Sequence, residues 1–177
     1  MKYAINIALI PEKKVYDYSI DLFKILEKQH PQKYILGKNA IPHITLVHTT
    51  VDENNLEDLS KIIKNISEST KKLNLVLDKI FLGPKSGSFW LCTKRDENIF
   101  NLHKLISHQI KNIVSNKYLE KSMFAFPDEI GPEVDWVKSY FETAALDNYN
   151  PHITIGIGKV ENVSLPIDFI ANKIGIY

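Results

Sequence analysis

Arginine is nearly missing from this sequence: Arg95 is the only one among 22 lysines and arginines. A chain built that way has few bidentate guanidinium forks, so phosphate recognition must lean on lysine, hydroxyls and backbone amides. Cysteine is equally scarce, with Cys92 alone, which excludes an internal disulfide and any multi-cysteine metal cage and fits a reducing compartment. No long hydrophobic run occurs. The most apolar opening, Tyr3 to Ile10, is interrupted by Asn6 and ends at Pro11-Glu12-Lys13-Lys14, too short to span a bilayer and without a small-residue cleavage site. Charge of one sign is absent too: 22 basic against 21 acidic side chains leave +1, a weak field for duplex DNA or an anionic membrane. With seven glycines and eight prolines in 177 residues, collagen-like and low-complexity classes drop out. The expectation is one cytoplasmic domain over residues 1–177, a monomer, with neither membrane nor duplex DNA as partner.

The positive content is periodic. Lys2 to Ile10 reads as a strand, and Val15, Ile20, Phe23 and Leu26 mark a helix from about Glu12 to Gln29, stopped by His30-Pro31. Ile41 to Val51 is a second strand. Asp52 opens a helix whose stripe runs through Leu56, Leu59, Ile62, Ile63 and Ile66. Leu73, Leu75 and Leu77 alternate, and the turn at residues 83–88 joins them to Phe89–Thr93 as a hairpin. Asp96 caps a helix carrying Ile99, Leu102, Leu105, Ile106, Ile110 and Ile113. Regularity fades over Asn116–Pro132, and an amphipathic helix is expected from about Pro132 to Leu146. Strands at Pro151–Val160 and about Ile167–Tyr177 close the chain. This order predicts an α+β fold with helices packed on mixed or antiparallel sheet.

One pattern stands out. Pro42-His43-Ile44-Thr45-Leu46 recurs as Pro151-His152-Ile153-Thr154-Ile155, 109 positions later. On a strand, His43 and Thr45 project to one face and Ile44 and Leu46 to the other, and the same holds for the second copy. Each copy therefore buries aliphatics and displays an imidazole beside a hydroxyl. A third His-x-Thr, His48-Thr49-Thr50, lacks the proline and the aliphatic frame. Being five residues from His43, His48 is expected on the opposite strand face, in a structural or solvent-exposed role.

With this flanked repeat the sequence resembles the two-histidine (2H) phosphoesterase superfamily, which includes 2′,5′-RNA ligase-like proteins and cyclic nucleotide phosphodiesterases. The likeness extends over most of the chain, and Phe126-Pro-Asp-Glu-Ile to Trp136-Val-Lys, then Asn150-Pro-His152, is similar to the run before the second motif in bacterial members. The resemblance implies a bilobal, pseudo-twofold α+β fold, with two antiparallel or mixed sheets facing a central cleft and helices outside. The region around 116–150 is then a lid or lobe-specific insertion. It also implies metal-independent hydrolysis of a 2′,3′-cyclic phosphate or related 2′,5′ phosphodiester, on RNA ends or small nucleotides, without a cofactor. His43 and His152 become the acid–base pair, and Thr45 and Thr154 bind the non-bridging oxygens.

The chemistry has its own rationale. An imidazole titrates near neutrality, so one can accept a proton while the other donates, and two hydroxyls can support charge on phosphorus oxygens. Which histidine is base stays open at this stage. So does the substrate: a 2′,3′-cyclic end, a 2′,5′-linked oligonucleotide, a cyclic oligonucleotide and an ADP-ribose cyclic phosphate all fit. Reverse 2′,5′ ligation, a noncatalytic nucleotide- or RNA-end-binding module, and a purely structural repeat are the rival readings. Phe126 is a candidate base platform, Lys85 a candidate phosphate contact, and Tyr3 and Asn6 candidates for the groove wall. His103 and His108 are read as helix-surface residues and Cys92 as a packed thiol. No metal ligand set with a recognised spacing is present, so no metal site is expected.

Overall fold

The computed structural model describes residues 1–83, 86–124 and 133–177. Six segments with alternating burial form strands: β1 (Lys2–Pro11), β2 (Ile44–Asp52), β3 (Leu73–Leu82), β4 (Ser88–Thr93), β5 (His152–Ile157) and β6 (Ile167–Ile176). Among the described residues five α-helices accompany them: α1 (Lys13–Gln29), α2 (Leu56–Ser69), α3 (Glu97–Ile110), α4 (Glu133–Lys138) and α5 (Tyr140–Thr143). The strands follow one another in space in the order β1-β2-β5-β4-β3-β6 and close on themselves. Every pairing is antiparallel. The architecture is the α+β, antiparallel one that the alternation of elements predicts.

The helices bury one stripe each. Val15, Leu22, Phe23 and Leu26 of α1, Leu59, Ile63 and Ile66 of α2, and Ile99, Leu102, Ile106 and Ile110 of α3 enter the core. Each such side chain contributes roughly 1.5–3 kcal/mol by leaving water. Asp96 caps α3 as its position predicts, Oδ1 accepting from the Ile99 N–H at 3.0 Å. The hairpin is also as expected, with β3 and β4 paired from Leu77–Thr93 to Leu82–Phe89. Gly87 supplies the positive φ, 67°, of the connecting turn.

The helix expected over 132–146 is instead broken into α4 and α5. Ser139 explains the break: its hydroxyl donates back to the Asp135 carbonyl at 2.9 Å, a contact that bends helices. Tyr140 then turns inward, and its hydroxyl donates to the Leu46 carbonyl at 2.9 Å.

The ring of strands has one thin seam. β1–β2 and β4–β5 pair over many residues, whereas β2 meets β5 only at Ile44–Ile153. Past that point the free side of β5 is served by Gln32. Its carboxamide donates to the Ile157 carbonyl at 2.9 Å and accepts from the Ile157 N–H at 2.8 Å. Gly156 permits this approach, since a Cβ there would lie 2.8 Å from the Gln32 oxygen.

Candidate active site

The seam brings the two histidine motifs together. One residue to either side of the Ile44–Ile153 pair stand His43 and Thr45 on one chain segment and His152 and Thr154 on the other. Antiparallel pairing sets each histidine beside the opposite strand's threonine and the two imidazoles on a diagonal, where such positions lie about 7–8 Å apart. All four side chains are half-buried, while Ile44, Leu46, Ile153 and Ile155 are buried. The two faces predicted from the repeat are those the strands adopt.

Both motif strands also carry the same irregularity one residue after the threonine. Ile7 pairs with Val47 but Ala8 with Thr45, so Leu46 is an extra residue on β2. Phe89 pairs with Gly156 but Trp90 with Thr154, so Ile155 is extra on β5. Bulges of this kind re-aim the side chains that follow. The carbonyls around Leu46 are held by buried donors: Tyr149 hydroxyl to Thr45 at 3.1 Å, Tyr140 hydroxyl to Leu46, and His103 Nδ1 to Leu46 at 2.6 Å.

Each imidazole is oriented through Nδ1. His43 Nδ1 donates to the Ile41 carbonyl and His152 Nδ1 to the Asn150 carbonyl, both at 2.7 Å. This fixes the Nδ1–H tautomer and leaves Nε2 for chemistry. Around Nε2 the symmetry ends. Asn6 Nδ2 donates to His43 Nε2 at 2.8 Å, an arrangement that requires a neutral, accepting nitrogen. His152 instead lies flat on Trp90, ring centroids 4.1 Å apart, and Trp90 in turn stacks on Phe81 at 5.0 Å. Burial lowers both histidines below the ordinary imidazole pKa, opposed by the backbone carbonyl each one meets. The charge of His43 lowers His152 further.

His48 corrects the sequence reading. The bulge at Leu46 shifts the alternation by one, so His48 shares the face of His43 and Thr45 rather than the opposite one. It pairs in register with Asn6, the residue that holds His43. Its ring packs edge-on against Trp136, centroids 4.5 Å apart, and against Tyr140 at 5.9 Å. Burial, followed by the charges of His43 and His152, pushes its pKa down to about 3. Near neutral pH it is therefore an uncharged wall beside His43. His103 is a second correction: it is fully buried, not on the helix surface. It stacks on Tyr149 with centroids 4.1 Å apart, and Nε2 accepts from the Leu146 N–H at 2.8 Å. Burial lowers its pKa. His108 is exposed and Cys92 is buried in β4, as the sequence suggests.

Of the further candidates, Asn6 is brought to the site and Tyr3 is not. Tyr3 pairs with Val51, and its hydroxyl faces Glu53 at 3.5 Å, near the opposite end of β1 from His43. β1 also alternates, sending Tyr3 to the other face from Asn6. Phe126 and Lys85 lie outside the described residues. Among the described residues, no cluster of three or more histidine, cysteine or carboxylate side chains is arranged to hold a metal ion. Nor is any helix long and apolar enough to cross a membrane. The sequence around Trp90 carries no signal that ties it to the histidine motifs. Its place beside the motif follows from the β4–β5 register, which no local signal encodes.

Comparison with known proteins agrees with this geometry. The model of the 2'-5' RNA ligase superfamily matches residues 26–170. Among solved structures, E. coli LigT in apo form superposes with a TM-score of 0.59 at 12% identity, covering 100% of this chain and 87% of LigT. E. coli LigT complexed with 3'-AMP gives 0.56 at 14% identity, covering 100% and 88%. The MHV ns2 PDE domain gives 0.54 at 10% identity, covering 100% and 99%. At these identities the likeness is one of fold. Comparison with curated protein sequences finds no match.

Proposed function

The chain belongs to the 2'-5' RNA ligase superfamily, and on that premise we propose that it is a metal-independent phosphodiesterase in which His43 and His152 are the acid–base pair. The substrate class is a 2′,3′-cyclic phosphate or related 2′,5′ phosphodiester on a small nucleotide or RNA terminus. The observation that carries this reading is the pairing of Ile44 with Ile153, which sets both imidazoles and both threonines on one face at one point of the sheet. A structure of E. coli LigT with 3'-AMP is consistent with a nucleotide as ligand. A monomeric protein of the cytoplasm is the setting we infer from composition.

The two environments favour one assignment of the roles that the letters leave open. His43, whose Nε2 accepts from Asn6, is the base. His152, lying on the π face of Trp90, is the acid, because an imidazolium gains from an aromatic face. Water attacks phosphorus and gives its proton to His43 Nε2. The P–O3′ bond breaks, the departing 3′ oxygen takes the proton from His152 Nε2, and a 2′-phosphate remains. Thr45 and Thr154 donate hydrogen bonds to the non-bridging oxygens as charge builds there. The Asn6 amide turns aside for substrate, its Oδ1 being buried without a partner and free to accept.

The test is turnover of 2′,3′-cyclic mononucleotides, with the product assigned by phosphorus NMR. His43→Ala and His152→Ala are each expected to lose at least a hundredfold in kcat/KM with an unchanged melting curve. Full activity in both variants refutes the assignment. Nucleotide binding without turnover in the wild type converts the protein into a binding module.

A further inference from the structure

A cavity of about 720 Å³ opens away from the histidine pair, between the C-terminal half of α3, residues 114–117 and α5. Its walls include none of His43, Thr45, His152 or Thr154. The volume lies within the range of small-molecule sites. We propose that it is a second site of this protein, for a free nucleoside polyphosphate.

Charge is the first argument. Lys104, Lys111, Lys117 and Lys138 line the cavity against one carboxylate, Glu142, in a protein whose formal net charge is +1. Several exposed lysines elsewhere reach an acid: Lys13 meets Asp17, Lys24 meets Asp21 and Lys61 meets Glu57. Among the described residues, none of the four cavity lysines forms an ion pair. Lys111 is only 3.5 Å from His108 Nε2, and Lys104 lies over the Phe100 ring at 4.5 Å. Like charges gathered in a concavity focus a positive field on whatever enters it. A single phosphate uses one or two of these ammonium groups, and a polyphosphate chain uses all four.

The apolar floor is the second argument. Phe141, Val114 and Leu146 supply the apolar part of the lining. Leu146 is 47% exposed and holds φ at 51°, a conformation that leucine rarely adopts. Buried His103 keeps it there by accepting its N–H. The chain thus spends strain to present an aliphatic side chain to this opening. Ser107 is also in the wall, its hydroxyl buried without a hydrogen-bond partner among the described residues. Asn116 is wall only. Its oxygen accepts from Thr49 at 2.7 Å and Thr50 at 3.1 Å, and its nitrogen donates to Val137 at 2.6 Å and His48 at 3.3 Å. A polyanion carrying a flat, apolar ring answers both halves of the cavity. Lysines gathered around one concavity, rather than strung out in a stripe, favour a free molecule over an RNA chain.

Isothermal titration calorimetry with magnesium-free ATP, tripolyphosphate and a ten-nucleotide RNA tests this. One ATP is expected to bind per chain. Lys104→Ala/Lys138→Ala should weaken it about a hundredfold while turnover of cyclic nucleotide is retained. Phe141→Leu, checked for an unchanged melting curve, should weaken ATP severalfold and leave tripolyphosphate unaffected, and His43→Ala/His152→Ala should leave ATP affinity intact. The proposal is overturned by absence of saturable ATP binding to the wild type, or by binding that depends on the histidines rather than the lysines. Equal affinity for tripolyphosphate and ATP, or binding of the RNA alone, overturns it as well.

Discussion

His48 offers the sharpest test of how the site is built, because its charge is excluded by the fold and permitted in the unfolded chain. An unfolded histidine titrates near 6.5, and this one is pushed down to about 3 when folded. The folded pKa is the lower of the two, so the unfolded state binds the proton more readily. Stability from this group is therefore fully present above pH 6.5 and declines as pH falls from 6.5 toward 3. Between pH 7 and pH 5 the loss is about 2 kcal/mol, from roughly 1.4 kcal/mol per pH unit once the unfolded group is charged. For a chain of this size that corresponds to a melting point lower by about 4–8 °C. His48→Phe keeps an aromatic ring against Trp136 and Tyr140 and removes the titration. Urea unfolding of both proteins at pH 7.0 and pH 5.0, at constant ionic strength, isolates the term, because His43, His103 and His152 are common to both. The variant should lose about 2 kcal/mol less than the wild type across that interval. Identical losses would show that the His48 ring takes up a proton in the folded state, and with it the placement of His48 within the wall would fail.

Three other outcomes follow from the contacts around the site. Asn6→Asp places a carboxylate against His43 Nε2 and should move the acidic limb of the pH–rate profile upward by about 1–2 units, since an opposite charge favours the imidazolium; in the wild type the lowered histidines place that limb below pH 6.5. His103→Phe leaves the Leu146 N–H without its acceptor and should cost about 1–3 kcal/mol in urea unfolding, with Leu46 still bonded by Tyr140. Asn116→Ala removes the amide that ties His48, Thr49, Thr50 and Val137 together and should cost about 2–4 kcal/mol, and hydrogen exchange should quicken at Thr50, whose N–H that amide accepts.

Much of this arrangement is legible in the letters. Matching neighbours around His43 and His152 place two imidazoles and two hydroxyls on one face of two strands, and strand periodicity alone suffices for that inference. Elements with a local cause, such as the Asp96 cap and the 83–88 turn, are legible for the same reason. His48 escapes period-two counting, which assumes an unbroken ladder. Leu46-Val47, two buried aliphatics in succession, is the trace the bulge leaves in the sequence, and Gly156 after Ile155 is its counterpart on the other strand. The spacing of His103 does not reveal its burial, because α3 is amphipathic only on average. Its burial depends on Tyr149 and on the Leu46 carbonyl, both distant in sequence. Trp90 and Asn6 acquire their positions from strand register, a property of the assembled sheet.

Where β2 meets β5 the ring is joined by a single aliphatic couple, and the two imidazoles proposed as acid and base flank that couple directly. Closure of the sheet at this seam and the spacing of the two imidazoles are therefore one mechanical coordinate. Slackness introduced at Ile44 or Ile153 is expected to spread the two motifs apart while the remaining strand pairs keep the molecule folded. Defects at this joint should accordingly register first in turnover, and only later in melting temperature.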